Sequence, residues 1–180
     1  MPNVVISSIP LRRWLTDALP KDIRPPVGED ISDSDYLLSI VSSTHGNTSD
    51  IAPSIVHARC VTCLPGYFSG VGDLFSALVL GHYEHSKRPA SEDDSITAIA
   101  DAVAQALKKT HAMLTMTHEY AATLPEDERQ PTDEELDLKE PDRVVRRMRG
   151  RELRLIQGQD VIRSTEPVEE HMGLWGSFWA

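Results

Sequence analysis

The chain has 180 residues, 40% of them hydrophobic and 26% charged, which suits a globular protein of about one domain and excludes fibrous, collagen-like and wholly disordered readings. With 18 Lys and Arg against 28 Asp and Glu, the formal charge is −10, which argues against a dedicated nucleic-acid or anionic-membrane binder. The start, Met1-Pro-Asn-Val-Val-Ile, has no basic segment and too short an apolar run for a signal peptide, and no stretch approaches the ~18 apolar residues of a membrane span. Two cysteines cannot build a disulfide framework, so the expected compartment is the reducing cytoplasm.

Val4-Val-Ile, apolar and β-branched, predicts a strand buried on both faces and closed by Ser7-Ser8. Residues 11–19 predict a short amphipathic helix with Trp14, Leu15 and Leu19 inward, ended by Pro20. Residues 28–35 are acid-rich and read as a solvated loop. Residues 36–42 form a second predicted strand, followed by a polar turn through residue 50, and residues 55–64 form a third.

Gly66, Gly70 and Gly72 then crowd together before residues 74–82, which are apolar nearly all round and predict a buried helix launched from a glycine turn. A polar loop at residues 84–94 precedes a long amphipathic helix over residues 95–123, with Ile99, Val103, Ala106, Leu107, Met113 and Leu114 on its inner stripe. Residues 125–140 hold eight acidic and two basic residues and predict an exposed insertion, helical where Thr132-Asp-Glu-Glu fits a capping box. Six arginines follow between residues 143 and 154; internal charge balance explains them better than phosphate binding. The alternating Glu152-Leu-Arg-Leu-Ile-Gln predicts a final strand. The aromatic tail over residues 164–180, with Trp175, Phe178 and Trp179, is expected to dock as a strap.

Chemistry concentrates at Gly70-Val-Gly-Asp. Glycines permit positive φ and remove Cβ atoms, so successive amides can converge on an anion, and a helix starting near Asp73 adds its own free amides and positive dipole end. A carboxylate there can take a proton from a hydroxyl that then attacks phosphorus. The tetrapeptide alone reads more readily as a structural helix cap. His57-x-x-Cys60-x-x-Cys63 offers three zinc ligands without a fourth, and a strand puts Cys60 and Cys63 on opposite faces, so metal and redox readings are set aside. His82 with His85, and His111 with His118, read as helix-edge residues.

The longer string Gly70-Val-Gly-Asp-Leu-Phe-Ser-Ala-Leu resembles the anion-hole signature of the ribokinase-like superfamily, and within it the pyridoxal kinases of fungal type. Val4-Val-Ile-Ser-Ser, Tyr36-Leu-Leu-Ser-Ile and Arg151-Glu-Leu-Arg-Leu-Ile-Gln-Gly-Gln-Asp-Val-Ile resemble, in order, the family's phosphate-side strand, its hairpin strand and its closing strand. The resemblance implies an α/β fold, a ribokinase-like three-layer sandwich. It also implies ATP-dependent phosphorylation of the 5′-hydroxyl of pyridoxal, pyridoxine or pyridoxamine in vitamin B6 salvage.

On that basis Asp73 is the expected general base and Gly70, Val71 and Gly72, with the Asp73 amide, the anion hole. Ser7 and Ser8 would meet the triphosphate, Leu64, Pro65 and Gly66 would lie along the nucleotide, and His111 and Leu114 would wall the adenine. Val71 stands where the superfamily commonly has threonine, which keeps the amide and loses a hydroxyl. The family's Asp-Pro-Val-Met-Gly-Asp motif and the half that builds the B6 pocket and lid are absent. The expectation is therefore one partial domain over residues 1–180, the carboxy-terminal half, with Mg²⁺ ligands in the other half. ATP and B6 vitamers are the implied ligands and a homodimer the implied assembly, with no nucleic acid and no membrane. Three alternatives stand beside this reading: a hydroxymethylpyrimidine kinase, a non-catalytic fragment that binds a partner chain, and a truncated gene model.

Overall fold

Residues 36–43 make the centre of the sheet because both of their faces are apolar where it matters: Leu38 and Val41, on opposite sides of the strand, are fully buried. The computed structural model describes residues 2–25, 35–44, 52–85 and 96–180. The expected loops at 28–35 (save its last residue) and 84–94 (save its first two), and the turn through residue 50, lie essentially outside them. The protein is a mixed α/β structure. It divides into two compact units, one of residues Met1–Cys63, Ser76–Leu107 and Pro167–Ala180, the other of Leu64–Phe75 and Lys108–Glu166.

The first unit holds a four-stranded antiparallel sheet in the order β1 (Asn3–Pro10), β2 (Tyr36–Ser43), β3 (Ile55–Thr62), β4 (Gly173–Leu174). Leu38, Val56 and Ala58 on one face pack with Leu15 of α1 (Arg13–Ala18), with Leu19 just after it, and with Ile23 and Trp175. Each large side chain so buried contributes about 2 kcal/mol of hydrophobic stabilisation. The opposite face buries Ser39, Val41, Ser43 and His57. Leu19 closes α1 in extended backbone, as the residue before Pro20 must.

Three expectations in this unit need correction. β1 is an edge strand, so Val4 and Ile6 are 43% and 49% exposed rather than buried on both faces. It also runs past Ser7-Ser8 to Pro10, with a register shift between Ile6 and Ile9 and Ser8 at φ 64°. Trp14 points outward, 70% exposed, because a six-residue helix has one face to bury and Leu15 and Leu19 take it. The aromatic tail does dock: β4 pairs with β3, the Trp175 amide donates to Val56 O, and the Trp179 indole donates to Ser54 O at 3.1 Å.

The two long helices start elsewhere than their patterns suggest, one earlier and one later. α2 (Val71–His85) starts three residues before the expected apolar run and is not buried all round; Leu78 is inward while Leu80 is 63% exposed. α3 (Ala98–Thr123) begins after Thr97, whose hydroxyl accepts from the Ala100 amide as an N-cap. Its stripe is as expected, with Ile99, Val103, Ala106, Leu107 and Met113 buried and Leu114 half-buried.

The second unit adds a 3₁₀ turn (Glu126–Glu128), α4 (Glu134–Lys139), α5 (Asp142–Met148) and α6 (Gln159–Arg163). Asp133, not Thr132, caps α4 by accepting from the Leu136 amide; the Thr132 hydroxyl instead accepts from Arg151. The arginines are balanced internally: Asp137 takes both Arg147 Nη atoms and Arg143 Nε, Arg146 faces Asp127, and Arg149 faces Glu128. The expected final strand at 152–157 is absent. Only Glu152 bridges, parallel, to Ser69; beyond it the Leu155 amide bonds Leu153 O, Gly158 bonds Arg154 O, and Arg154 N donates to Thr117 Oγ1. Local turns thus consume the amides a strand would have offered.

Candidate active site

The loop after β3 turns twice through glycine. Gly66 has φ 113° and Gly70 φ 82°, values that L side chains adopt only under strain. A Cβ on Gly70 would meet only Leu153, at 4.0 Å, so conformation rather than crowding requires glycine there. Ser69 is held by its amide bond to Arg151 O at 2.8 Å, which fixes the direction in which the chain enters α2.

Gly70 O accepts the first helical bond, from the Leu74 amide at 3.0 Å. Gly70 is thus the N-cap position, and the amides of Val71, Gly72 and Asp73 are the helix's unsatisfied donors. No acceptor among the described residues takes them. Among the described residues a Cβ on Gly72 would have no neighbour within 4 Å, which leaves room there for a ligand's approach to this end of the helix. Asp73 is exposed in the first turn, and its carboxylate makes no hydrogen bond or ion pair among the described residues. A structural cap would accept a backbone amide; this carboxylate does not, which leaves it free to accept a proton from something else.

The second unit holds Leu64, Pro65, Gly66, residues 70–73, His111 and Leu114, while Ser7 and Ser8 lie exposed on β1 in the first. Pro65 and Gly66 line a cavity of about 250 Å³, of the order of a nucleoside's volume. Tyr67 and Phe68 continue that wall, His118 and Ala121 of α3 form the next, and Arg147 and Arg151 complete it. His118 and Ala121 were not among the expected site residues, yet the signal was present. They follow His111 and Leu114 by seven positions each, two turns further along one helix face.

Asp137 anchors the arginine wall. Hydrogen bonds from Arg147 above all, then from Arg143, hold its carboxyl down from 3.8 to about 2. Elsewhere, burial pushes the Cys60 thiol from 9.0 up to about 11, the opposite of what a reactive thiolate needs. Among the described residues no three His, Cys, Asp or Glu side chains come together to hold a metal ion, so the zinc reading of His57, Cys60 and Cys63 gains nothing. No helix among the described residues is long and apolar enough to cross a membrane.

In this mixed α/β protein the site thus combines a glycine-launched helix end, an unengaged carboxylate and a nearby cavity. The chain is similar to a proposed pyridoxal kinase of Schizosaccharomyces pombe, with 36% identity over 116 residues, a stretch covering 59% of this chain and 31% of that protein. Among solved structures it is similar to pyridoxal kinase from Leishmania donovani in complex with ADP and pyridoxine, at 16% identity and TM-score 0.47 over 96% of this chain and 37% of that one. The complex with ADP and pyridoxamine gives 16%, 0.48, 96% and 38%. The chain thus spans about a third of the length of the relatives it matches. No family model matches the sequence.

Proposed function

We propose that this chain carries the phosphate-binding and proton-accepting part of a pyridoxal kinase, which transfers the γ-phosphoryl group of ATP to the 5′-hydroxyl of pyridoxal, pyridoxine or pyridoxamine. The observation that carries the reading is the start of α2, where three unaccepted amides and the unengaged Asp73 carboxylate share one helical turn. In the reaction Asp73 takes the hydroxyl proton as the oxygen attacks phosphorus and ADP departs. The amides of Gly70, Val71, Gly72 and Asp73 stabilise the charge spreading over the transferred oxygens. The cavity beside Pro65 and Gly66 supports a seat for the nucleoside end of ATP. Ser7 and Ser8, on β1, are proposed to meet the triphosphate, and His111 and Leu114 to wall the base. A cytoplasmic homodimer is part of the same proposal.

The test is titration of the chain with ATP and ADP, followed by assay of pyridoxal 5′-phosphate formation with Mg²⁺ present. Nucleotide binding by the chain is expected and should survive Asp73→Ala, and in a full-length kinase carrying this segment the same substitution is expected to lower turnover by about 10²–10⁴-fold. A chain that binds neither nucleotide refutes the proposal, and a panel including hydroxymethylpyrimidine separates the related kinase.

A second reading, a partner-binding chain without its own catalysis, is favoured by one observation. β1 is the sheet's edge and exposes Val4 and Ile6, the profile of a strand that another chain can extend.

A further inference from the structure

Four of the six arginines between residues 143 and 154 face carboxylates among the described residues, and Arg154 lies over the Tyr120 ring at 3.8 Å. Arg151 differs. Its Nη2 donates to the Thr132 hydroxyl oxygen at 3.0 Å, and its guanidinium stands 5.7 Å from the centre of the Tyr67 ring. A guanidinium spent on a neutral hydroxyl can form much stronger bonds with an oxyanion in the same place. The hydroxyl it holds is exposed, and Asp133, Glu134 and Glu135 follow it directly. Carboxylates one to three residues after a threonine are what an acid-directed protein kinase reads through its own basic groove.

We propose that Thr132 is a phosphorylation site for an acid-directed protein kinase, and that Arg151 receives the phosphate. The Thr132 oxygen attacks the γ-phosphorus of ATP held by that kinase. The bond from this phosphorus to the β,γ-bridging oxygen breaks, ADP leaves, and the hydroxyl proton passes to the kinase's base. The product carries close to two negative charges where a neutral oxygen stood. Arg151 then moves its interaction from Tyr67 to the phosphate. Because Arg151 and Tyr67 both line the cavity beside Gly66, the modification reshapes its mouth. The site holds whether or not the chain transfers phosphate itself.

The experiment incubates the chain with a purified acid-directed serine/threonine kinase and labelled ATP, then maps the phosphate by fragmentation. A single phosphate on Thr132 is expected. Thr132→Ser should retain it, while Thr132→Val, and Asp133→Asn with Glu134→Gln and Glu135→Gln, should lose it by about tenfold or more. Amide exchange at residues 132–136 should slow by roughly tenfold on phosphorylation, and this slowing should vanish in Arg151→Ala. No incorporation, or incorporation that survives Thr132→Val, overturns the site. Equal slowing in the wild type and Arg151→Ala overturns the role of Arg151.

Discussion

At residue scale, two glycines two positions apart carry different requirements. Gly70 needs its conformation, at φ 82°, so Gly70→Ala should cost about 1–2 kcal/mol in chemical denaturation. Gly72 needs nothing from the fold, since its missing Cβ faces open space near the start of α2. Gly72→Ala should leave stability unchanged or raise it by up to about 1 kcal/mol, while weakening ADP binding in calorimetry. Equal ADP affinity in that variant would remove the backbone from the phosphate contact. The glycine turn and Asp73 were legible in the sequence because backbone permission is a property of the residue itself. Trp14 was not, because which face of a short helix turns inward depends on partners distant in sequence, here Leu38, Val56 and Trp175 meeting Leu15 and Leu19.

At the scale of elements, residues 36–42 and 55–64 read correctly as strands, and β2 and β3 there pair on both sides and bury residues on both faces. Alternation at 152–157 misled. Polar and apolar residues alternate in tight turns too, and strand formation there would have needed a partner beyond the single bridge to Ser69. The acidic insertion was legible as exposed, but its order comes from pairing with α5, which spacing alone does not reveal. That pairing has a pH signature. The Asp137 carboxyl is depressed to about 2, so its contribution to stability is full above its ordinary value of 3.8 and lost as pH falls through about 2. Asp137→Asn should lower the melting temperature at pH 7 and flatten its dependence on pH between about 4 and 2, measured by circular dichroism.

At the scale of the whole molecule, the exposed β1 edge bears on assembly. If another copy or partner extends the sheet there, Ile6→Lys should place a charge in the new interface and suppress concentration-dependent association in light scattering. A monomer at all concentrations, with or without the substitution, counts against self-pairing. The α/β class was implied by the family resemblance of residues 4–8, 36–40 and 70–78. The division into two units was not, because α2 and α3 each run unbroken through its boundary and their sequence patterns carry no mark of it.

The amide-built start of α2 has a kinetic corollary. A phosphate site made from lysines draws its anion in from a distance, and salt slows that capture. Here the attraction comes from partial charges that fade within one helical turn, set in a molecule of net charge −10. A nucleotide must therefore approach uphill against the far field before the near one holds it. Raising ionic strength, which shortens the Debye length to about 8 Å near 0.15 M, should speed ADP association in stopped flow rather than slow it. Slower capture at higher salt would mean that cationic side chains, not amides, govern the encounter.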